Sequence, residues 1–115
     1  MNMPLSNPDV QSRTAKAVLD AISPPDTLET TLIQRGKRYG KFIKHAEVTQ
    51  DLKSQIALHL AHRNKQLAPD QQEALDMICH KIGRIINGDA DYDDSWTDIA
   101  GYAQLVSDRL RGVTR

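Results

Sequence analysis

Residues 69–88 read PDQQEALDMICHKIGRIING and carry a full set of helix signals. Pro69 suits a first helical turn, and Asp70 places a carboxylate at the positive end of the helix dipole. Leu75, Ile78, Ile82, Ile85 and Ile86 recur at three- and four-residue spacing, which puts them on one face. Asn87-Gly88 is a natural left-handed stop. The same period extends to both sides. A preceding helix is predicted from Phe42 to about Ala61, with Phe42, His45, Val48, Leu52, Ile56 and Leu60 on its stripe. A following helix, capped by Asp93 or Asp94, is predicted to run to about Arg111. Its seam is Trp96, Ile99, Ala103, Val106 and Leu110. No segment alternates apolar and polar residues as a strand would.

Toward the N-terminus the signals shorten. Gln11–Ile22 forms a short amphipathic pattern with Ala15, Val18, Leu19 and Ile22 on one side, and Pro24-Pro25 stops it. Leu28–Gln34 suits a second short helix ended by Gly36. Arg35-Gly36-Lys37-Arg38-Tyr39-Gly40 then reads as a loop, because its glycines reach backbone angles closed to other residues. The predicted fold is all-α: a helical bundle of three long helices plus one or two short N-terminal helices. Residues 1–10 read as a flexible tail and residues 11–115 as a single helical domain.

The chain has 115 residues, 15 basic and 15 acidic, so its formal charge is zero. Apolar residues make up 39% and aromatics 4%, which makes the core aliphatic. No apolar run approaches the roughly 18 residues that cross a bilayer, so no membrane partner is expected. The N-terminus lacks the charged and then apolar order of a secretory signal, which predicts a cytoplasmic protein. A single cysteine, Cys79, excludes an internal disulfide framework. The neutral balance argues against general nucleic-acid binding, which normally uses a basic excess. The stripes are narrow and the large side chains few, so a homodimer or higher homo-oligomer is predicted.

Two charged segments suggest chemistry. Arg35, Lys37, Arg38, Lys41 and Lys44 crowd around two glycines just before a helix, a combination of cations, amides and dipole that suits phosphate. It lacks the Gly-Lys-Ser/Thr ending of a P-loop, and a solvated basic turn is the plainer reading. Asp89, Asp91, Asp93, Asp94 and Asp98 form the acidic counterpart. A calcium loop would need Gly and Glu where Asp94 and Ala100 stand, so that reading fails. Glu73 with Asp76, and Asp94 with Asp98, each present two carboxylates on one helical face. Two such helices packed antiparallel suit Mg2+, with Glu73, Asp94 and Asp98 as the metal ligands. The alternatives are solvated carboxylates and an Asp98–Lys81 ion pair.

Other candidates read as structural. His45 sits in an apolar stripe, as a core histidine does. His59 and His62 lack a third ligand for zinc, and His80 points away from its neighbour Cys79. Cys79 reads as a small buried hydrophobe. Trp96 heads the last seam, although with Tyr102 it lies where a base could stack.

The run from Arg35 to Gly40 with Phe42 and His45-Ala46 resembles a family of small phage and prophage proteins. So do Glu73–Ile78 with His80-Lys81-Ile82, and Asn87-Gly88 followed by Asp94–Tyr102. The resemblance spans roughly Leu28 to Leu110. A looser resemblance is to all-α nucleoside triphosphate pyrophosphohydrolases of the MazG-like kind. There, Asp98 with Tyr102 looks like the end of the second acidic motif, with Ser95 where that motif has glutamate. The resemblance implies a phage-derived nucleotide hydrolase in the bacterial host cytoplasm. Asp98, Asp94 and Glu73 would hold Mg2+, a metal-bound water would attack, and Asp98 would be catalytic. Lys81 would join it there and, with the Arg35–Lys44 loop, neutralise phosphates. The alternative is a non-enzymatic accessory protein that binds a host protein or a signalling nucleotide through its polarised surface.

Overall fold

A computed structural model of the chain describes residues 27–115. The predicted tail over residues 1–10 and the Gln11–Ile22 helix lie outside the described residues. Four helices follow: α1 (Leu28–Tyr39), α2 (Phe42–His62), α3 (Pro69–Asn87) and α4 (Asp93–Leu110). There is no strand among the described residues. The chain divides into two units at Gln34/Arg35, and the second, Arg35–Arg115, holds every candidate residue.

The largest departure from the sequence reading is at residues 35–40. The basic segment is not a loop: α1 continues through Gly36 to Tyr39. A lone glycine costs a helix only about 1 kcal/mol relative to alanine, too little to stop one flanked by Gln34, Arg35, Lys37 and Arg38. The break comes at Gly40, whose φ of +80° turns the chain into α2. Thr27 starts α1, its hydroxyl accepting the Thr30 N–H at 3.0 Å.

The other helix ends follow local chemistry. α3 begins at Pro69 as expected, and the Ala68 N–H donates to the Gln71 side chain at 2.9 Å. It ends at Asn87, but Gly88 is not left-handed, with φ −132°. Gly88 is needed for a different reason: a Cβ there would collide with the Tyr39 backbone. α2 and α4 end in Schellman turns that the sequence reading did not anticipate. Asn64 (φ 48°) and Gly112 (φ 85°) take the left-handed position. The Lys65 and Val113 amides reach back to the Leu60 and Asp108 carbonyls at 2.9 and 2.8 Å.

Helix α3 packs against α2 on one side and α4 on the other, while α2 and α4 do not touch. The long helices thus form an open layer with α3 in the middle, where a closed bundle would bring α2 onto α4. Among the described residues the only buried apolar side chains are Ala74 and Cys79. At 3.6 residues per turn, Ala74 and Lys81 face α4 while Cys79 and Gly83 face α2. The apolar stripe of α3, centred on Ile78 and Ile82, falls between those two directions and is half-buried. Helix α4 is rotated likewise. Trp96 is 54% exposed and Leu110 is exposed too, so neither belongs to a packed seam. Asp98 and Arg109 meet α3 instead, and Ser95 is the buried residue of the first turn. The three-four pattern marks an apolar face but does not say which neighbour it meets.

Candidate functional site

Two ion pairs fix the register of α3 and α4. Lys81 Nζ lies 2.9 Å from Asp98 Oδ2. Arg109 grips Asp70 with both guanidinium arms, at 2.9 and 2.7 Å. Eleven residues back along α3, from Lys81 to Asp70, match eleven residues forward along α4, from Asp98 to Arg109. The helices are therefore antiparallel, with Asp94 level with Ile85 and Glu73 level with Val106. Glu73 and Asp94 then stand twelve residues apart along the seam, about 18 Å at the helical rise. Glu73 and Asp98 stand about 12 Å apart by the same measure.

The three carboxylates expected to hold Mg2+ therefore do not converge within one chain. Oxygen ligands of such an ion sit only about 2 Å from it, closer than side chains reaching along those distances allow. Among the described residues, no group of three or more His, Cys, Asp or Glu is placed to hold a metal ion. Of the two residues expected to act in catalysis, Lys81 is buried and Asp98 keeps 45% of its side chain exposed. They neutralise each other, so the ion-pair alternative is the arrangement the fold adopts.

The two charged segments also meet. The Arg38 guanidinium lies 4.3 Å from the Tyr92 ring centre and donates to the Tyr92 hydroxyl at 3.2 Å. That hydroxyl donates to Asp94 at 2.9 Å, and this bond raises the Tyr92 pKa. Arg84 stacks on Tyr39 at 4.1 Å, and the two tyrosine rings meet edge to face at 6.2 Å. The backbone ties the same corner. The Asp89 N–H donates to the Arg38 carbonyl at 2.7 Å, and the Asn87 amide donates to the Tyr39 and Lys41 carbonyls. Asp94, the third expected ligand, thus belongs to this aromatic corner. Arg35, Lys37 and Lys41 remain exposed, and none of the three pairs with a carboxylate among the described residues. Arg35, Lys37, Arg38 and Lys41 thus share one end of the layer, three on a helix and Lys41 just before the next, while Lys44 pairs with Glu47 at 3.5 Å.

A groove of about 320 Å³ runs between the start of α3 and the end of α4, lined by Asp70, Glu73, Tyr102, Leu105 and Arg109 among others. A wider one of about 550 Å³ includes Asp98, Tyr102 and Asp108. Asp108 is buried and accepts from Gln104, Arg111 and Arg115 at 2.7, 3.0 and 2.7 Å. Those donors, Arg115 first, hold its pKa below the ordinary carboxylate value.

The α2–α3 seam holds a second polar cluster. His45 is 5% exposed, and its Nε2 lies 3.3 Å from His80 Nδ1 and 3.4 Å from Thr49 Oγ1. The two rings meet edge to face at 4.6 Å. His45 Nδ1 makes no hydrogen bond. Burial lowers both imidazoles, His80 to about 4, with the Gly83 backbone beside His45 opposing the shift there. Cys79 is buried in the same helix, as expected, and burial pushes its thiol up. Sequence reasoning took His45 as a core residue, which it is, but did not find its partner. It also missed Tyr39 and Tyr92, whose one visible signal was their place beside the charged runs.

Comparison with family models, with curated proteins and with solved structures finds no match to this chain.

Proposed function

We propose that this chain is a non-catalytic helical binding module of phage origin, which offers its basic corner to an anionic group. The group is a nucleotide phosphate or an acidic surface of a host protein. The observation that carries this reading is the Lys81–Asp98 pair. It occupies the carboxylate on which hydrolysis would depend, with Glu73 about 12 Å further along the seam. The exposed Arg35, Lys37 and Lys41, beside the stacked Arg38, supply the opposite requirement of a cationic surface without carboxylate partners among the described residues. Such a surface steers anionic partners and sets their orientation.

Self-association is part of this proposal. Stable domains bury two layers against each other, and the three long helices form one. A homodimer would give the half-buried stripe of α3 a second layer. No described helix is long and apolar enough to cross a membrane. Action in the cytoplasm of a bacterial host goes with the phage origin.

A Mg2+-dependent nucleotide pyrophosphohydrolase is the second reading. Asp94 and Asp98 are four apart on one helix, and Asp98 stays half-exposed beside the wider groove. That reading needs Glu73, or another ligand, from a second copy. Thermal shifts against a nucleotide panel, with and without Mg2+, separate the two. A shift that is independent of Mg2+ and lost in the Arg35→Ala/Lys37→Ala/Lys41→Ala variant supports the binding module through nucleotide. With no shift, co-purification of an acidic host protein that this variant fails to retain supports it through protein. A shift that requires Mg2+ and survives in that variant overturns it.

A further inference from the structure

We propose that the facing His45 and His80 imidazoles form an acid-sensitive latch, whose protonation releases α2 from α3. A hydrogen bond between two neutral imidazoles needs one nitrogen to donate and the other to accept, so His45 Nε2 and His80 Nδ1 share one proton across 3.3 Å. Protonating both rings sets two N–H groups head to head and removes that bond. His45 Nδ1 worsens the conflict. It is buried without a hydrogen bond, and the Gly83 backbone beside the ring favours the imidazolium by less than burial disfavours it.

The charged surroundings offer no relief. The charged groups acting on the pair are Lys53 from α2 and Lys81 and Arg84 from α3, all cationic. No carboxylate is among them. Nor does the seam have space to adjust in place. Gly83 lies so close that a Cβ there would stand 2.5 Å from Thr49 Oγ1 and 3.0 Å from the His45 ring. A second charge is therefore accommodated by separating the helices, which lets water reach the buried His45 ring and the covered part of the half-buried His80 ring.

The sign follows from proton counting. Both imidazoles are lowered from the ordinary 6.5, His80 to about 4, so the closed seam binds fewer protons than the open one in that window. The closed state is fully favoured above pH 6.5 and loses ground as the pH falls from there toward 4. Each neutral histidine multiplies the opening constant by up to about tenfold per pH unit.

The test is an NMR titration of the full chain from pH 7.5 to 3.5, following both imidazoles and amide exchange in α2. The expected result is titration of both rings below the ordinary 6.5, with His80 near 4. Exchange in residues 45–56, corrected for its intrinsic pH dependence, should rise at least tenfold between pH 6.5 and 5. The His45→Gln/His80→Gln variant, if it folds, should lose most of that acid response. Rings that titrate at 6.5 or above, or an α2 that stays equally protected at pH 5, overturn the latch. These readouts on the wild-type chain decide the matter even where the variant fails to fold.

Discussion

Lys81 and Asp98 join α3 to α4 through an ion pair of 2.9 Å in which the ammonium is buried and the carboxylate half-exposed. Such a pair is asymmetric. Asp98 can turn to water if its partner is lost, whereas Lys81 would keep a charge in the seam with no counter-ion. Removing one partner of a buried pair is more costly than removing both. Asp98→Ala should therefore destabilise the chain by about 2 kcal/mol, less than a fully buried pair because one end is wet. Lys81→Met should cost under about 1 kcal/mol, since its apolar stem packs as the lysine stem does. Urea unfolding of both single variants and the double variant measures the coupling. Equal costs for the two single substitutions would contradict this account of the pair.

Gly83 is the close-contact point of the α2–α3 seam. An alanine Cβ would meet Thr49 Oγ1 and the His45 ring. Overpacking of this kind costs about 1–3 kcal/mol. Gly83→Ala should lower the thermal midpoint, and Gly101→Ala, whose Cβ would meet nothing within 4 Å, should not. Differential scanning calorimetry of the two variants makes the comparison.

Asp70 and Asp108 are held below the ordinary carboxylate pKa by their arginines. A lowered folded-state pKa contributes stability above about pH 4 that is lost as the pH falls through the folded value. Arg109→Gln should return Asp70 toward its ordinary pKa, read by carboxyl-carbon NMR. Asp108→Asn should loosen residues 111–115, where Arg111 and Arg115 bind it. Faster amide exchange confined to that segment is the expected result.

The aromatic corner predicts a division of labour among the basic residues. Arg38 is stacked and hydrogen-bonded, whereas Lys37 is exposed on the same helix. Arg38→Ala should disturb the Tyr92 ring resonances and cost about 0.5–1 kcal/mol, the usual value of an exposed cation–π contact. Lys37→Ala should leave the tyrosine resonances in place and weaken binding of inorganic phosphate, with less dependence on salt.

Much of this was legible in the residues. Pro69, Asn87 and the spacing between them gave α3 almost to the residue, and Lys81 stood where an ion pair with Asp98 was a stated alternative. What escaped was what depends on how helices meet. The same periodicity that located α4 placed Trp96 in a seam, because a stripe defines a face without naming its neighbour. The Glu73, Asp94 and Asp98 set satisfied helical spacing, yet only the register set by Lys81–Asp98 and Asp70–Arg109 separates its members. Gly36 misled for a local reason: one glycine bends the odds against a helix without ending it. His80 as the partner of His45 was hidden because the two are 35 positions apart and meet only across the packed seam.

The most direct measurement of the central claim is pyrophosphate release from a panel of nucleoside triphosphates with Mg2+, comparing the wild-type chain with Asp98→Asn. The binding-module account predicts no release above background from either protein. Mg2+-dependent release by the wild type that disappears in a folded Asp98→Asn variant would contradict it and establish Asp98 as a catalytic carboxylate.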